Sequence, residues 1–557
     1  MKKNAIAVGS FATFIMATSG GIVYYLGGVK EARLTGQGIV RFTRTALTVL
    51  QISYDYKRTL WGRNEKSEQF KELRSQVHSR SAKRLCDLCF RNAGLYIKIG
   101  QHLGSLDYLL PKEYVQVLKV FHHTAPRSSL NDVYHVFHDE LNQNPDEIFQ
   151  GFDVEPLGSA SLAQVHKAIL KNGQTVAVKV QHKNIQDHAA SDVKTMEFLV
   201  NVVKQIFSEF QFTWLVEETK KNLPLELDFL NEGRNSEKIQ EKFPQLKFLK
   251  VPKVFWEYSS KRVLTMEYCE GGYVNDLEYM KNNNISSDEV SVCGICRMYV
   301  SNKILQMIST LIVKVSSKVG EIYSEMIFVQ GCIHCDPHPG NILIRKNRTT
   351  GVEIVLLDHG LYHEITDDFR INYCKLWQSI ISADLEGIKA YSEKMDVGEF
   401  YGIFACMLSA RTWNTVISGM KQTPFSQNEM EELRSSVAMY LSDISNVLNR
   451  VPRQLLLILK TNDLLRGIDH QLRTSEASRS FVTMSKCCAK AVAREEWKSC
   501  TTWYDRLMVY GRWSLDNARI TLYQLSVQDF FISTDILVSV ATNFVSLLFI
   551  SMLFGAS

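Results

Sequence analysis

The chain has 557 residues, too many for one hydrophobic core, so its length predicts two to four structural units. Its 64 basic and 59 acidic residues leave a net charge of only +5, and this near balance argues against a partner bound by charge alone, such as nucleic acid. The 12 cysteines lack the spacing of a small secreted scaffold, which argues against a disulfide-built fold.

Residues 5–26 form an uncharged stretch of 22 residues, long enough to cross a bilayer. Four basic residues follow before position 45, against the single acid Glu31. A membrane anchor, a secretory signal and a mitochondrial targeting segment all fit this pattern, and the acid-poor basic stretch favours mitochondrial import. We therefore assign 1–35 to a targeting or membrane segment.

Residues 36–130 are predicted to form a helical extension. Apolar residues recur at spacings of three and four through Leu85, Leu88 and Leu95, which is the period of an amphipathic helix. Pro111 and Pro126 mark loops within it.

Residues 131–270 are predicted to form a strand-rich lobe after a short helix. Valines recur through 152–181, and the Asn172-Gly173 pair between two such runs predicts a β-hairpin whose two turn positions both take a positive φ. A helical pattern returns over 185–245, and 248–267 reads as two or three strands.

Residues 271–490 are predicted to form a helix-rich lobe that contains a small hairpin around Asn347-Arg348. Residues 491–557 form a helical tail, in which 536–554 make a second uncharged stretch of 19 residues. That stretch predicts a membrane span or a buried or interfacial helix. The order of elements predicts an α+β, two-lobed protein-kinase-like fold with additional helices in front.

The segment from His334 to Asn341 carries the strongest chemical signal. Asp336 precedes Asn341 by five residues, the spacing at which a kinase catalytic loop places its catalytic aspartate and a magnesium-binding asparagine. Asp358 follows a predicted strand and precedes Gly360, as does the aspartate that holds the bridging magnesium in kinases. These residues predict ATP and Mg²⁺ as ligands.

Residues N-terminal to this segment complete the order of motifs found in kinases. Val176-Ala177-Val178-Lys179 resembles the strand whose lysine binds the α- and β-phosphates. The preceding loop should cover the phosphates, and its small residues are Gly158, Ser159, Ala160 and Ser161. Its lack of a G-x-G-x-x-G pattern leaves it with less backbone freedom than a kinase loop. Three carboxylates follow on one predicted helical stretch, where Glu226 and Glu232 would lie near one face and Asp228 would point away.

Each of these motifs alone has a purely structural explanation, such as a strand end, a turn or a solvated helix face. Their occurrence together in kinase order makes coincidence improbable. Three C-x-x-C pairs, at Cys86/Cys89, Cys293/Cys296 and Cys332/Cys335, could form a zinc site if two of them met. Their separation and apolar surroundings favour reduced thiols. His334 and His338 are interpreted as structural residues of the catalytic loop.

With these motifs, the chain resembles the AarF/UbiB family of atypical kinases over residues 40–480. The stretch Lys98-Ile99-Gly100-Gln101 resembles the family's Lys-x-Gly-Gln motif. Within the family, the mitochondrial AarF-domain-containing kinase 1 subgroup is the one that four stretches of the chain resemble most, namely 156–168, 176–182, 356–366 and 451–468. The resemblance implies that Lys98, Gly100 and Gln101 belong to a helix over the active site that meets Glu226 and Asp228 and blocks a peptide groove.

The resemblance further implies that Glu232 pairs with Lys179 and that Glu267 belongs to the nucleotide site. It implies a mitochondrial inner-membrane setting and a role in lipid or quinone homeostasis and in membrane (cristae) organisation, with membrane lipids and inner-membrane proteins as partners. Two departures stand out. Gly158 and Ser159 interrupt the alanine-rich loop of the family's coenzyme-Q members, and residues 292–314 resemble an insertion.

Three functions remain open on the sequence. The first is an ATPase or a phosphotransferase acting on a lipid or small molecule, in which Asp336 orients or deprotonates the acceptor and Lys179 binds the phosphates. The second is a pseudokinase scaffold at the membrane. The third, a small-molecule kinase of the aminoglycoside type, shares the catalytic spacing but lacks a Lys-x-Gly-Gln extension.

Overall fold

The computed structural model describes residues 32–527 except 65–66, 105–109, 123, 208–212, 284–314, 337, 348, 350, 410, 419–451 and 472–476. The chain forms two compact units, one from 1–289 and 334–362 and the other from 290–333 and 363–557. The uncharged stretches 5–26 and 536–554 and the predicted insertion 292–314 lie outside the described residues. Among the helices that are described, none has the length and apolarity needed to cross a membrane.

The first unit begins with the predicted helical extension. Its helices are α1 (Ala32–Leu60), α2 (Glu68–Asn92), α3 (Leu95–Gly104) and α4 (Lys112–Leu118), followed by a 3-10 turn at Lys119–His122. The side chain of Ser67 accepts a hydrogen bond from the N–H of Phe70 and caps α2. These helices pack through a core of Leu88, Cys89, Tyr96, Ile97, Leu118 and Phe121, which removes their apolar faces from water.

A five-stranded antiparallel sheet follows helices α5 (Leu130–Leu141) and α6 (Pro145–Ile148). Its strands are β1 (Phe149–Phe152), β2 (Gly158–Ser159), β3 (Ala163–Leu170), β4 (Thr175–Gln181) and β6 (Val263–Glu267), and β4 pairs with both β3 and β6. The predicted hairpin between β3 and β4 is confirmed. Gly173 alone takes a positive φ, of 82°, so the expectation for Asn172 is wrong because the connection is longer than two residues.

Three helices lie between β4 and β6 in the chain: α7 (Ile185–Ile206), α8 (Thr213–Glu226) and α9 (Phe229–Lys242). The predicted single helical stretch around Glu226 is therefore broken between α8 and α9. Asp228 has an extended backbone and its side chain accepts the N–H of Leu230 at 3.0 Å. A short polar side chain that satisfies an orphan N–H favours the start of a new helix at this point.

A second, four-stranded sheet in the same unit has the order β5-β10-β9-β7. Its strands are β5 (Leu249–Lys250), β7 (Gly272–Tyr273), β9 (Ile342–Asn347) and β10 (Gly351–Leu356). The β9–β10 pairing is antiparallel, as the predicted hairpin requires, and β10 pairs in parallel with β5. Helix α10 (Leu277–Asn282) follows β7, and β8 (Cys332–His334) and β11 (Tyr362–Glu364) lie where the chain passes between units.

The second unit is helical. Residues 315–324 are helical and continue into a π-helical turn at Glu325–Val329. Its other helices are α11 (Asp367–Ser382), α12 (Leu385–Glu393), α13 (Tyr401–Ser409), α14 (Trp413–Ser418), α15 (Arg453–Gln471), α16 (Ala477–Ser499) and α17 (Trp503–Val527). Phe328 stacks on Tyr373 in its core, and Arg370 donates to the Phe328 carbonyl. The predicted α+β class is confirmed.

Candidate active site

The central contact of the site is an ion pair between β4 and α9. Val176, Val178 and Val180 are fully buried on one face of β4, so the alternation of the strand places Lys179 on the opposite face. Its Nζ atom donates to Glu232 Oε1 at 2.7 Å and to Oε2 at 2.8 Å. Burial opposes the charge on Lys179, but Asp358 and Glu232 outweigh it and raise the pKa of the ammonium.

Burial has the opposite effect on the acid of this pair. Only 3% of the Glu232 side chain is exposed, and burial raises its pKa to about 7 although the Lys179 ammonium pulls it down. A carboxylate removed from water loses hydration that one ammonium replaces only in part. Glu232 is thus an acid whose charge state changes near neutral pH.

Asp358 lies next to the same lysine, with its Oδ2 atom 3.6 Å from Lys179 Nζ. The N–H of Gly360 donates to Asp358 Oδ1 at 2.9 Å. Burial acts to raise the pKa of Asp358, but Lys179, this N–H and Lys98 together hold it below its usual range. The side chain therefore stays an anionic oxygen donor at neutral pH.

Helix α9 also holds the backbone of the turn that carries Asp358. The Asn235 amide donates to the His359 carbonyl at 3.0 Å, and the Asn231 amide lies 3.5 Å from the Gly360 carbonyl. The backbone of His359 acts to lower the pKa of Glu232. Asn231, Glu232 and Asn235 share one face of α9 because they are spaced by one, three and four residues. That spacing was the available signal for the two asparagines, which the motif analysis missed.

The predicted catalytic loop is closed by its own hydrogen bonds. The Asn341 side-chain amide donates to the Asp336 carbonyl at 3.2 Å. His338 caps the 3-10 turn Pro339–Asn341 by accepting the Gly340 N–H at 3.0 Å. The structure thus brings Asp336 and Asn341 together through their loop, and His338 has the structural role predicted for it.

His334 links this loop to the turn at Asp358. Its Nε2–H donates to the Asp358 carbonyl at 2.8 Å, and its Nδ1 accepts the Asp336 N–H at 3.1 Å. These partners require the neutral Nε2–H tautomer. Next to it, the buried ring of His359 has a pKa lowered to about 3 by burial and by His334. The rings of His334 and His359 thus both bond to backbone groups of this loop and turn, and hold them in place.

Lys98 of α3 reaches the catalytic loop. Its Nζ atom lies 3.0 Å from Glu226 Oε2 and 3.9 Å from Asp336 Oδ2. Burial opposes the charge, but Glu226, Asp336 and Asp358 outweigh it and raise the pKa of Lys98 well above its ordinary value. The ammonium is therefore a permanent cation beside Asp336.

The rest of the Lys-x-Gly-Gln motif supports α3. A Cβ added to Gly100 would lie 2.5 Å from the ring of Phe121, closer than real Cβ contacts. Gln101 donates to the Phe121 carbonyl at 2.8 Å. Glycine is needed at position 100 for close packing, and Gln101 satisfies a backbone acceptor in the adjacent 3-10 turn.

The predicted phosphate loop lies at β2 and the turn that follows it. The Ser159 hydroxyl donates to the Pro126 carbonyl at 2.8 Å, and the His182 ring bonds to the Ala160 carbonyl at 2.9 Å. Ser161 is buried. A Cβ at Gly158 would meet nothing within 4 Å, and its φ is not positive, so the fold does not require glycine there.

Glu267 ends β6 in a separate ion pair. Its Oε2 lies 2.7 Å from Lys250 Nζ and accepts the Lys253 N–H at 3.2 Å. Burial opposes ionisation, but these two groups outweigh it and lower the pKa of Glu267. Its assignment to the nucleotide site remains a prediction.

The oxygen donors present fit magnesium. Asp358 supplies an anionic carboxylate, and the Asn341 amide nitrogen is already engaged, which leaves its carbonyl oxygen to act as a ligand. Magnesium takes hard oxygen ligands and is commonly held by one or two protein groups together with phosphates. Among the described residues, no cluster of three or more His, Cys, Asp or Glu side chains could hold a metal alone.

Two of the C-x-x-C pairs fall within the part of the chain that the structure describes. Cys86, Cys89, Cys332 and Cys335 form no disulfide with any described cysteine, and burial raises the pKa of Cys86 and Cys89. The third pair, Cys293/Cys296, lies outside the described residues.

Comparisons with known proteins identify the family of this chain. The family model described as ABC1 atypical kinase-like domain matches residues 120–392. AarF domain-containing protein kinase 1 of Mus musculus is 47% identical over 526 residues, which cover 94% of this chain and 95% of that protein. AarF domain-containing kinase 1 of Drosophila melanogaster is 46% identical over 485 residues, covering 86% of this chain and 89% of that protein.

Among solved structures, the complex of Rv3197 with erythromycin from Mycobacterium tuberculosis matches 72% of this chain and 94% of that chain, with 20% identity and a TM-score of 0.42. The identity to the animal proteins holds over nearly the whole chain, and the motifs that predicted the family meet in one site of the first unit. The chain therefore belongs to the ABC1 (AarF/UbiB) family of atypical kinase-like proteins.

Proposed function

We propose that the chain binds Mg-ATP and acts as an ATPase or as a phosphotransferase to a lipid or small molecule. The observation that carries this proposal is the position of Lys179, whose ammonium donates to both oxygens of Glu232 and lies 3.6 Å from Asp358. In kinases this arrangement fixes a cation against the phosphates, next to the carboxylate that binds the metal.

Each side chain has a definite task in this proposal. Lys179 would bind the α- and β-phosphates, with Glu232 holding its side chain in place. Asp358 and Asn341 would hold Mg²⁺, which neutralises charge on the phosphates when bound. Asp336 would orient the acceptor hydroxyl or water and accept its proton. Its loop is fixed to the Asp358 turn through His334, so the two carboxyls keep their spacing during the reaction.

The position of Lys98 supports a small acceptor. Its ammonium lies 3.9 Å from the carboxyl of Asp336 and therefore occupies space beside the group that would receive the acceptor. A peptide segment would have to displace this side chain. A small polar or anionic acceptor could bind beside it and gain from its charge.

We further propose that the protein acts at the mitochondrial inner membrane, in lipid or quinone homeostasis and cristae organisation. The uncharged stretch 5–26, the acid-poor basic segment after it and the uncharged stretch 536–554 support this setting. Membrane lipids and inner-membrane proteins would then be its partners.

A pseudokinase scaffold is the second candidate. It is favoured by the same Lys98 contact, which places a cation against Asp336 where a catalytic base needs free access. It is also favoured by the phosphate loop, whose Ser159 hydroxyl and Ala160 carbonyl have partners within the protein.

The test is Mg-ATP binding and turnover by the full chain in lipid nanodiscs, compared with Asp358→Asn. Glu241→Gln is the control, because it also replaces a carboxylate with its amide but at an exposed position of α9. An ATP-driven enzyme predicts magnesium-dependent binding and slow hydrolysis that are lost in Asp358→Asn and retained in the control. Binding without hydrolysis would support the scaffold. If the folded protein failed to bind Mg-ATP, neither an ATP-driven enzyme nor a nucleotide-binding scaffold would be supported.

A further inference from the structure

Helix α17 (Trp503–Val527) has an inward side that packs on α16 within the second unit. Val509 is only 4% exposed. On its flanks, Arg506 lies over the Trp497 ring at 5.8 Å and Arg512 pairs with Glu496 at 3.2 Å. These contacts to α16 fix the rotation of α17 about its own axis, and so fix which side chains face away.

The opposite side of the helix is apolar and exposed. Trp503, Tyr504 and Leu515 are 77%, 57% and 53% exposed. At 100° per residue, an arc of about 160° centred opposite Val509 contains no charged residue in the first 13 positions. This outward face of α17 consists of Trp503, Tyr504, Leu507, Met508, Tyr510, Gly511, Ser514 and Leu515.

Two arginines border one edge of the outward face. Arg512 and Arg519 have side chains that are 63% and 70% exposed, and Asp505 is bonded to Thr502 at the start of the helix. A helix with an apolar face containing tryptophan and tyrosine, edged by arginine, is typical of segments that lie in the interface of a bilayer. Tryptophan and tyrosine favour this region because each ring has an apolar body and a polar edge.

The sequence that follows α17 also indicates a membrane. The helix ends at Val527, and the uncharged stretch 536–554 begins nine residues later. Helix α17 itself does not meet the requirements for a membrane span. A helix that exposes aromatic side chains on one face, and is joined by a short connection to a stretch that suits hydrocarbon, is placed to lie along a membrane surface.

We propose that the outward face of α17 lies in the headgroup region of a lipid bilayer, with the helix axis along the membrane surface. This inference rests on the proposed membrane setting of the protein, but it does not depend on ATP binding or turnover. The inference assigns the lipid contact to the outward face of α17. Because that face has defined boundaries, residues inside and outside it can be compared.

The test uses the full chain with a benzophenone amino acid at position 508 or, as control, at the exposed position of Glu386 in α12. Each protein is mixed with vesicles of four parts phosphatidylcholine to one part phosphatidylglycerol and irradiated. We expect lipid adducts from position 508 and few from position 386. In the same assay, Leu507→Glu combined with Leu515→Glu should reduce the adduct at position 508 by about tenfold, because two apolar contacts become charges.

Other results would overturn the inference. An adduct between position 508 and residues 536–554 of the same chain would show that this segment covers the face. A cross-linked pair of chains would show that a second copy covers it. Vesicle-bound protein with no adduct at position 508 would show that the face stays in water. Circular dichroism of the Leu507→Glu/Leu515→Glu protein separates loss of contact from loss of folding. Mg-ATP binding, measured separately, tests the active site without affecting this result.

Discussion

The Nζ atom of Lys98 lies 3.9 Å from Oδ2 of Asp336, so a side chain of the helical extension reaches the acid that would receive the acceptor's proton. The same ammonium lowers the pKa of Asp358. The ammonium of Lys98, which belongs to helix α3, therefore acts on both Asp336 and Asp358. It is held there by Glu226, at 3.0 Å.

Replacing Lys98 with methionine should strengthen magnesium binding. The change removes a positive charge close to Asp336 and Asp358, so a divalent cation meets less repulsion. We expect the apparent Kd for Mg²⁺ at fixed ATP to fall roughly threefold to tenfold. Titration of Mg²⁺ with a fluorescent ATP analogue measures this directly. Lys98→Arg keeps the charge and should stay close to the unmodified protein. An equal change in both variants would indicate that packing, and not charge, is responsible.

Glu232 should make stability fall as pH rises towards neutrality. Its pKa is about 7 in the folded protein and 4.5 ordinarily, so between these values the folded state binds the proton more tightly than the unfolded state. The free energy of unfolding then decreases as pH increases, by about 3 kcal/mol for a shift of this size. The stabilisation is complete below the ordinary pKa and is lost above the folded one.

Glu232→Gln should remove this part of the pH dependence. The measurement is the thermal unfolding of the unmodified protein and the variant at pH 5 and pH 8. The unmodified protein should lose more Tm between these two conditions than Glu232→Gln does. Glu241→Gln, at an exposed position of the same helix, should behave like the unmodified protein. Parallel pH profiles for all three proteins would mean that Glu232 does not titrate in this range.

Asp228 should act through helix α9 and not through the nucleotide. Its side chain accepts the Leu230 N–H, so Asp228→Ala should lower the free energy of unfolding by about 1 kcal/mol. Asp228→Asn keeps an accepting oxygen and should retain both stability and Mg-ATP affinity. Denaturant unfolding and ATP binding of the two variants check this. A loss of ATP affinity in Asp228→Asn would instead assign a ligand role to the carboxylate.

Two glycines of the site should respond oppositely to alanine. A Cβ at Gly100 would overlap the Phe121 ring, so Gly100→Ala should cost about 1–3 kcal/mol of stability. A Cβ at Gly158 would meet nothing within 4 Å, so Gly158→Ala should change stability by less than about 0.5 kcal/mol. Chemical denaturation of both variants provides the comparison. A large loss in Gly158→Ala would mean that the loop adopts another backbone conformation.

The order of motifs predicted that Asp336 and Asn341 share one loop, and the family resemblance implied that Lys179 pairs with Glu232. Lys179 and Glu232 are 53 residues apart in the chain, and the Lys179 ammonium donates to both carboxylate oxygens of Glu232. The period of apolar residues likewise predicted the helical extension and the strand-rich lobe, since burial of one face is a local property of sequence.

The contacts made by backbone atoms could not be predicted in this way. His334 bonds to the Asp358 carbonyl, and Asn235 bonds to the His359 carbonyl. Every residue offers the same carbonyl and N–H groups, so sequence does not identify which of them a side chain will reach. The break before Asp228 was missed for a related reason: aspartate is tolerated within a helix, and its role as a cap depends on the backbone conformation it adopts.

The Asn231 and Asn235 side chains of helix α9 donate to the turn that carries Asp358, the proposed magnesium ligand, and so couple that helix to it. If the chain binds Mg-ATP as proposed, any molecule that displaces α9 should change the affinity for Mg-ATP. By thermodynamic reciprocity, Mg-ATP must change the affinity for that molecule by the same factor. A partner that binds the outer surface of α9 could therefore bind with different affinity to the nucleotide-bound and nucleotide-free protein without contacting the nucleotide.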